Sequence, residues 1–189
     1  DAVCDGDSVL IGGIMQHIEE AGVHSGDSSC VIPAYSISEN HRNTIKDYTT
    51  RLAMRLKIKG LLNIQFAIKD STIFTLEVNP RASRTIPFVS KVTNVPLARY
   101  AAQVSTGKKI SELELNQSQK DLIAVKKPVF PFNKFPQQNI FLSPEMKSTG
   151  EAIGFDRNLG SAFAKAEFSA GSDLPTKGTV FISVNENDK

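Results

Sequence analysis

Apolar and polar residues alternate with period two over Asn63–Lys69 and again over Ile73–Asn79. Both runs are rich in β-branched and aromatic residues, so the pattern predicts two strands. Asp70-Ser71-Thr72 supplies turn chemistry between them and predicts a hairpin with a three-residue loop. In that register Lys69 faces Ile73, Ala67 faces Thr75, Gln65 faces Glu77 and Asn63 faces Asn79. Side chains alternate along a strand, which puts Gln65, Glu77 and Asn79 on one face. Ile64, Phe66, Ile68, Phe74, Leu76 and Val78 take the other. A two-residue loop would send Gln65 and Glu77 to opposite faces.

Other stretches carry weaker versions of the same signals. Asp1–Asp5 and Ser8–Ile11 flank Gly6-Asp7 and predict an opening hairpin. A mixed segment, Ile14–Glu20, follows Gly12-Gly13, and Cys30–Pro33 reads as a short strand. Ser38 suits the N-cap of a helix reaching to about Ile58, with Ile45, Tyr48, Leu52 and Leu56 inward and Gly60 ending it. Beyond a short segment from Pro87 to Val92, a helix from Pro96 to Ser105 buries Leu97, Tyr100, Ala101 and Val104. Lys108–Lys127 is polar and mixed. Val129–Phe135 is strand-like but broken by Pro131, which predicts an edge position and a solvated row of lysines from Lys126 to Lys134. A strand within Met146–Phe155, a helix over Leu159–Ala170 and an apolar strand at Thr179–Val184 complete the reading. The fold class is α+β with antiparallel hairpins and flanking helices.

Composition narrows the function classes. The 189 residues carry 40% hydrophobic and 22% charged content with a formal charge of +2, ordinary for a globular protein. The lysines and arginines are scattered, which argues against nucleic acid. No apolar run approaches the roughly 20 residues that span a bilayer. Cys4 and Cys30 lack metal-ligand spacing, so they read as buried reduced thiols and the setting as cytoplasmic. His17 and His41 have no supporting context and read as solvent-facing. The phenylalanines Phe130, Phe132 and Phe135 read as packing residues. An opening at Asp1 and an unpaired apolar strand near the end predict a piece of a longer polypeptide.

The chemistry concentrates in Glu77-Val78-Asn79-Pro80-Arg81-Ala82-Ser83-Arg84. A carboxylate, an amide oxygen and two guanidiniums lie within a few residues of one another, with Gln65 opposite. Hard oxygen ligands suit magnesium, and arginine forks match phosphate and carboxylate oxygens. Taken alone, Glu77 and Asn79 also suit a half-exposed strand, Arg81 and Arg84 suit local ion pairs, and His24 suits a simple turn.

Three strings together resemble the ATP-grasp enzymes, and specifically the large-subunit family of carbamoyl phosphate synthetase. They are Val23-His24-Ser25-Gly26-Asp27-Ser28, Asn63-Ile64-Gln65-Phe66-Ala67, and Glu77 through Thr85. The likeness continues through Pro87–Lys91, Pro131-Phe132-Asn133-Lys134-Phe135 and Pro144-Glu145-Met146-Lys147-Ser148-Thr149-Gly150-Glu151. His24-Ser25-Gly26-Asp27 and the Ala82-Ser83-Arg84-Thr85 ending resemble the second of that subunit's two ATP-grasp units. The first unit more often reads His-Thr-Gly-Asp and Val-Ser-Arg-Ser. A biotin-carboxylase-like ligase usually has Glu-His-Pro after Asn-Pro-Arg, where Thr85-Ile86-Pro87 stands here.

The resemblance implies ATP with Mg2+ or Mn2+, and phosphorylation of carbamate to carbamoyl phosphate for pyrimidine and arginine synthesis. It implies that Gln65, Glu77 and Asn79 hold the metal ions. Gly22, Val23, His24 and Ser25, with Gln65 and Glu77, would contact the nucleotide. Arg81, Arg84 and Glu77 would act in catalysis. Residues 1–109 would form the C-terminal lobe of an ATP-grasp domain, 110–175 its extension, and 176–189 the first strand of an allosteric domain in which Ser183 and Lys189 match effector positions. The lid, its glycine-rich loop and the ribose-gripping acid would precede Asp1, so this chain alone is expected to turn over carbamate poorly. Expected partners are the rest of the large subunit and a glutaminase small subunit. A non-catalytic connector between the active site and the allosteric domain is the reading from a different class.

Overall fold

The computed structural model describes residues 1–115, 121–134, 137 and 139–184. Two four-stranded antiparallel sheets organise it. The first contains β1 (Ala2–Asp5), β2 (Val9–Ile11), β5 (Lys59–Lys69) and β6 (Thr72–Asn79), in the order β2-β1-β5-β6. The second contains β3 (Gln16–His17), β4 (Cys30–Ile32), β7 (Ile123–Val129) and β8 (Gly150–Asp156), in the order β3-β4-β7-β8. Four helices flank them: α1 (Glu39–Arg55), α2 (Ile86–Thr93), α3 (Leu97–Ser105) and α4 (Leu159–Ser169).

Period two in the strands decides which layer each side chain joins. Val3 of β1 points into the main core with Cys30 and Ile32 of β4, Phe88 and Val89 of α2, and Leu97, Tyr100, Ala101 and Val104 of α3. Its neighbours Ala2 and Cys4 point the other way, against Ala53, Ile58 and Leu62 beneath α1. Val31 of β4 likewise turns outward to meet Val125, Ala162 and Ala166 under α4. The α3 face is the one expected, because its apolar residues recur at three- and four-residue steps.

Contact between α4 and β8 is so close that a Cβ on Gly154 would lie 2.1 Å from the Ala162 carbonyl oxygen. Only a residue without a side chain lets the helix lie there.

Helix α1 begins as expected, with the Ser38 hydroxyl accepting from the His41 N–H at 3.2 Å. It stops earlier than Gly60, because Lys57 turns left-handed at φ 53°. Ile58 is therefore a buried non-helical residue and Leu56 lies 54% exposed; the inward positions are Ile45, Thr49 and Ala53. Pro87–Val92 belongs to a helix, α2, with proline in its first turn where no N–H is needed.

Several expectations fail around β7. This strand starts inside the polar, mixed stretch Lys108–Lys127, and it ends at Val129, where Phe130 and Pro131 break the ladder and Phe132–Lys134 form a 3₁₀ turn. It lies between β4 and β8, so it is an interior strand, and Lys126 is fully buried and not solvated. Phe130 and Phe132 stack on each other at 4.9 Å. Phe135 lies outside the described residues. Residues 179–184 form no ladder among the described residues, and Phe181 stands 91% exposed. Cys4 and Cys30 are free and buried, as expected. No described helix is long and apolar enough to cross a membrane.

Candidate functional site

The β5–β6 hairpin departs from the expected geometry twice. Lys69 pairs with Thr72, so the loop is only Asp70-Ser71, both with positive φ (48° and 64°) as a two-residue hairpin turn requires. That register alone would set Gln65 opposite Leu76. A β-bulge intervenes: Phe66 pairs with Thr75, but Gln65 pairs with Glu77 and Asn63 with Asn79, leaving Leu76 without a cross-strand partner. The extra residue turns Glu77 and Asn79 back to the face of Gln65. It also splits the expected apolar face, since Phe74 now lies opposite Ala67 and is 49% exposed.

The amide of Gln65 donates to Glu77 Oε2 at 2.6 Å and to Ser25 Oγ at 3.1 Å. This ties the hairpin to the loop containing Gly22, Val23, His24 and Ser25. All four loop residues, with Gln65, Glu77, Asn79, Arg81 and Arg84, line one cleft of about 800 Å3. Ser183 lies outside it on the exposed tail, and Lys189 lies outside the described residues.

The two arginines are held differently. Arg81 is exposed and donates to the Ala82 carbonyl at 3.0 Å and to Asn79 Oδ1 at 3.3 Å. Arg84 reaches across to the segment before β8, donating to Ser148 O at 3.2 Å and Ser148 Oγ at 3.1 Å, with Glu151 at 4.0 Å. The Asp1 carboxylate steadies the arginine loop by accepting from Asn63 and Ser83 at 2.9 Å and from Thr85 at 2.5 Å.

Several supporting groups were given no role by the sequence, although Asp27, Ser148 and Glu151 lie in strings that carry the resemblance. Asp27 is fully buried and accepts from the backbone N–H groups of Lys147 (2.7 Å) and Ser148 (2.9 Å). Burial opposes its ionisation, but hydrogen bonds from Ser148 and Lys147, and the nearby His24, outweigh this and lower its pKa. Glu19 accepts from the Ser29 N–H (2.5 Å) and hydroxyl (2.9 Å) on the cleft wall. The fully buried Lys126 sits 3.6 Å from Glu151 Oε1 and donates to the Ser25 carbonyl at 3.5 Å. His17 is not solvent-facing: desolvation first, then Lys126, pulls its pKa down to about 4. His41 also lines the cleft and is only partly exposed. Their partners lie far away in sequence, so short motifs that contain Asp27 and Glu151 do not reveal what each one holds.

The donor set fits a magnesium-type ion. Glu77 would offer one carboxylate beside the amides of Gln65 and Asn79, of which Gln65 Nε2 donates to Glu77 and Asn79 Oδ1 accepts from Arg81. Among the described residues no group of three His, Cys, Asp or Glu side chains forms an all-protein cage. Magnesium commonly takes one or two carboxylates and completes its shell with water and substrate phosphates. Softer metals would require histidine or thiolate, which the hairpin lacks.

Comparison with solved structures defines the class first. The chain is similar to the biotin carboxylase domain of a single-chain bacterial carboxylase, with a TM-score of 0.62 at 16% identity over 89% of this chain and 45% of that one. It is also similar to the K. lactis urea amidolyase, with a TM-score of 0.64 at 15% identity over 89% of this chain and 12% of that one. At these identities the likeness establishes a shared fold, the ATP-grasp fold, and nothing about chemistry. Residues 5–113 match the family described as the carbamoyl-phosphate synthase L chain, ATP binding domain, and the chain belongs to that family. It is 58% identical to the carbamoyl phosphate synthase large chain of Acidobacterium capsulatum and 58% identical to that of Archaeoglobus fulgidus. Both alignments cover 100% of this chain, which spans 18% of each relative's length.

Proposed function

We propose that this chain supplies part of the ATP-grasp site that phosphorylates carbamate, within the large subunit of carbamoyl phosphate synthetase. The observation that carries the reading is the cross-bulge pair of Gln65 and Glu77, tied to Ser25 and sharing a cleft with Arg81 and Arg84. The relatives' name, carbamoyl phosphate synthase large chain, supports the substrate class, and the His24-Ser25 and Arg84-Thr85 pattern supports the second unit over the carboxy-phosphate-forming first one.

In this reading Gln65, Glu77 and Asn79 hold Mg2+ or Mn2+, which when bound neutralises phosphate charge. The 22–25 loop takes the nucleotide. A carbamate oxygen attacks the γ-phosphorus, the bond to the bridging oxygen breaks, and ADP leaves. No protein nucleophile is needed. Arg81 and Arg84 stabilise the charge on the transferring group, so this chain acts by positioning and electrostatics. Residues 1–109 belong to the ATP-grasp domain, 110–175 extend it, and 176–189 lead into an allosteric domain containing Ser183 and Lys189. Partners are the rest of the large subunit and a glutaminase subunit, in the cytoplasm.

Glu77→Gln in the complete enzyme keeps side-chain size and removes the charge. ATP formation from carbamoyl phosphate and ADP should fall at least 100-fold, while bicarbonate-dependent ATP hydrolysis survives. The opposite pattern would assign the segment to the carboxy-phosphate half. Two intact activities would refute the metal site.

A further inference from the structure

The segment Ser143–Glu151 holds no ligand in the reading above, yet it braces both the 22–25 loop and Arg84. Its contacts with the nucleotide loop are dense. The His24 N–H donates to the Ser143 carbonyl at 2.9 Å, and the N–H groups of Lys147 and Ser148 donate to the two Asp27 oxygens. Ser148 then does two further things. Its hydroxyl donates to the Gly26 carbonyl at 3.0 Å, and its hydroxyl and carbonyl oxygens both accept from Arg84 Nη1.

A serine hydroxyl has one proton and two lone pairs, so both bonds can be made at once. Ser148 is 4% exposed, and little else fixes Arg84. The Glu151 oxygen is 4.0 Å away, at the limit of an ion pair, and the remaining partner, Met146 Sδ, is a weak acceptor.

We propose that Ser148 is a positioning residue for the phosphoryl-transfer step: it locks the Arg84 guanidinium to the loop at Gly26, so that arginine and nucleotide move as one unit. The inference rests on the reading that Arg84 faces the transferring group. An arginine held by preformed contacts needs no reorganisation as charge develops, whereas one free to swing does.

The test uses the complete enzyme and the conversion of carbamoyl phosphate and ADP to ATP, with rates normalised to bicarbonate-dependent ATP hydrolysis as a measure of folded protein. Ser148→Ala should lower kcat about tenfold, the value of one hydrogen bond used in the transition state, and leave the KM for ADP within about twofold. Introduced alongside Arg84→Met, it should cause no further loss, because the group it positions is gone. A merely structural serine would reduce the amount of folded enzyme, with kcat unchanged after normalisation, and that result overturns the inference. So would equal losses from Ser148→Ala with and without Arg84. If Arg84→Met itself leaves ATP formation intact, the reading of the site falls, and the positioning role with it.

Discussion

Lys126→Met tests whether the buried cation beside the cleft is held by a charge partner or only by packing. Lys126 is fully buried, Glu151 is 15% exposed at its side chain, and Nζ lies 3.6 Å from Glu151 Oε1. That oxygen makes no hydrogen bond, so the pair interacts through charge and not through a directional contact. At an effective dielectric constant of about 20 the attraction at this distance is about 4–5 kcal/mol before desolvation is counted. Removing one partner of such a pair leaves the other charge stranded, which costs about 3–5 kcal/mol. Partial exposure of Glu151, and Arg84 at 4.0 Å from the same oxygen, favour the lower end. Lys126→Met should therefore lower the unfolding free energy by about 3 kcal/mol in urea denaturation followed by circular dichroism. Lys126→Met with Glu151→Gln should recover most of that loss, because the stranded carboxylate is gone and Arg84, 4.0 Å from it, is partly exposed to water. His17 gives a second readout: Lys126 helps to depress its pKa, so the variant should raise its titration midpoint. A single variant losing under about 1 kcal/mol, or a double variant losing the sum of its parts, would refute the electrostatic account.

Other expected outcomes follow from the same geometry. Gly154→Ala drives a Cβ into the backbone of α4, 2.1 Å from Ala162 O and 2.4 Å from Ala166 N, and should cost at least about 3 kcal/mol or abolish folding, read by thermal denaturation. Ser71→Gly relieves a left-handed residue at φ 64° and should stabilise the hairpin by about 0.5–1 kcal/mol, measured as a rise in melting temperature. His17 titrates near 4 in the fold against an ordinary 6.5, so the unfolded chain binds the proton first as pH falls. Stability should therefore drop by about 3 kcal/mol between about pH 6.5 and 4, and His17→Gln should flatten that slope in pH-dependent denaturation.

The hairpin shows how a sequence reading can reach the correct pairing through incorrect steps. The sequence pattern predicts a three-residue loop that aligns Gln65 with Glu77. The loop has two residues, and the bulge at Leu76 restores the alignment. Turn chemistry at Asp70-Ser71-Thr72 does not distinguish the two loops, because positive φ is accessible to Asp and tolerated by Ser when the strands demand it. A bulge has no local signature, since it depends on how the proximal half of the hairpin packs on β1 and the core. The nine residues Gly22–Ser25, Gln65, Glu77, Asn79, Arg81 and Arg84 line one cleft, since the motifs that contain them are contiguous. The groups that brace them do not announce themselves.

What this sequence determines by itself is local. Spacing within α3, the cap at Ser38, the opening hairpin and the composition of the Glu77–Arg84 string depend on neighbours a few residues apart, where periodicity and side-chain chemistry act directly. Tertiary structure alone decided that β7 is an interior strand, that Lys126 is buried in it, and that Asp27 and Ser148 are clamped together across 121 residues. Lysine and proline in a short apolar run read as an edge because no local feature reveals a neighbour on either side. Only when β4 and β8 cover β7 does burial select a carboxylate, Glu151, to accompany the charge.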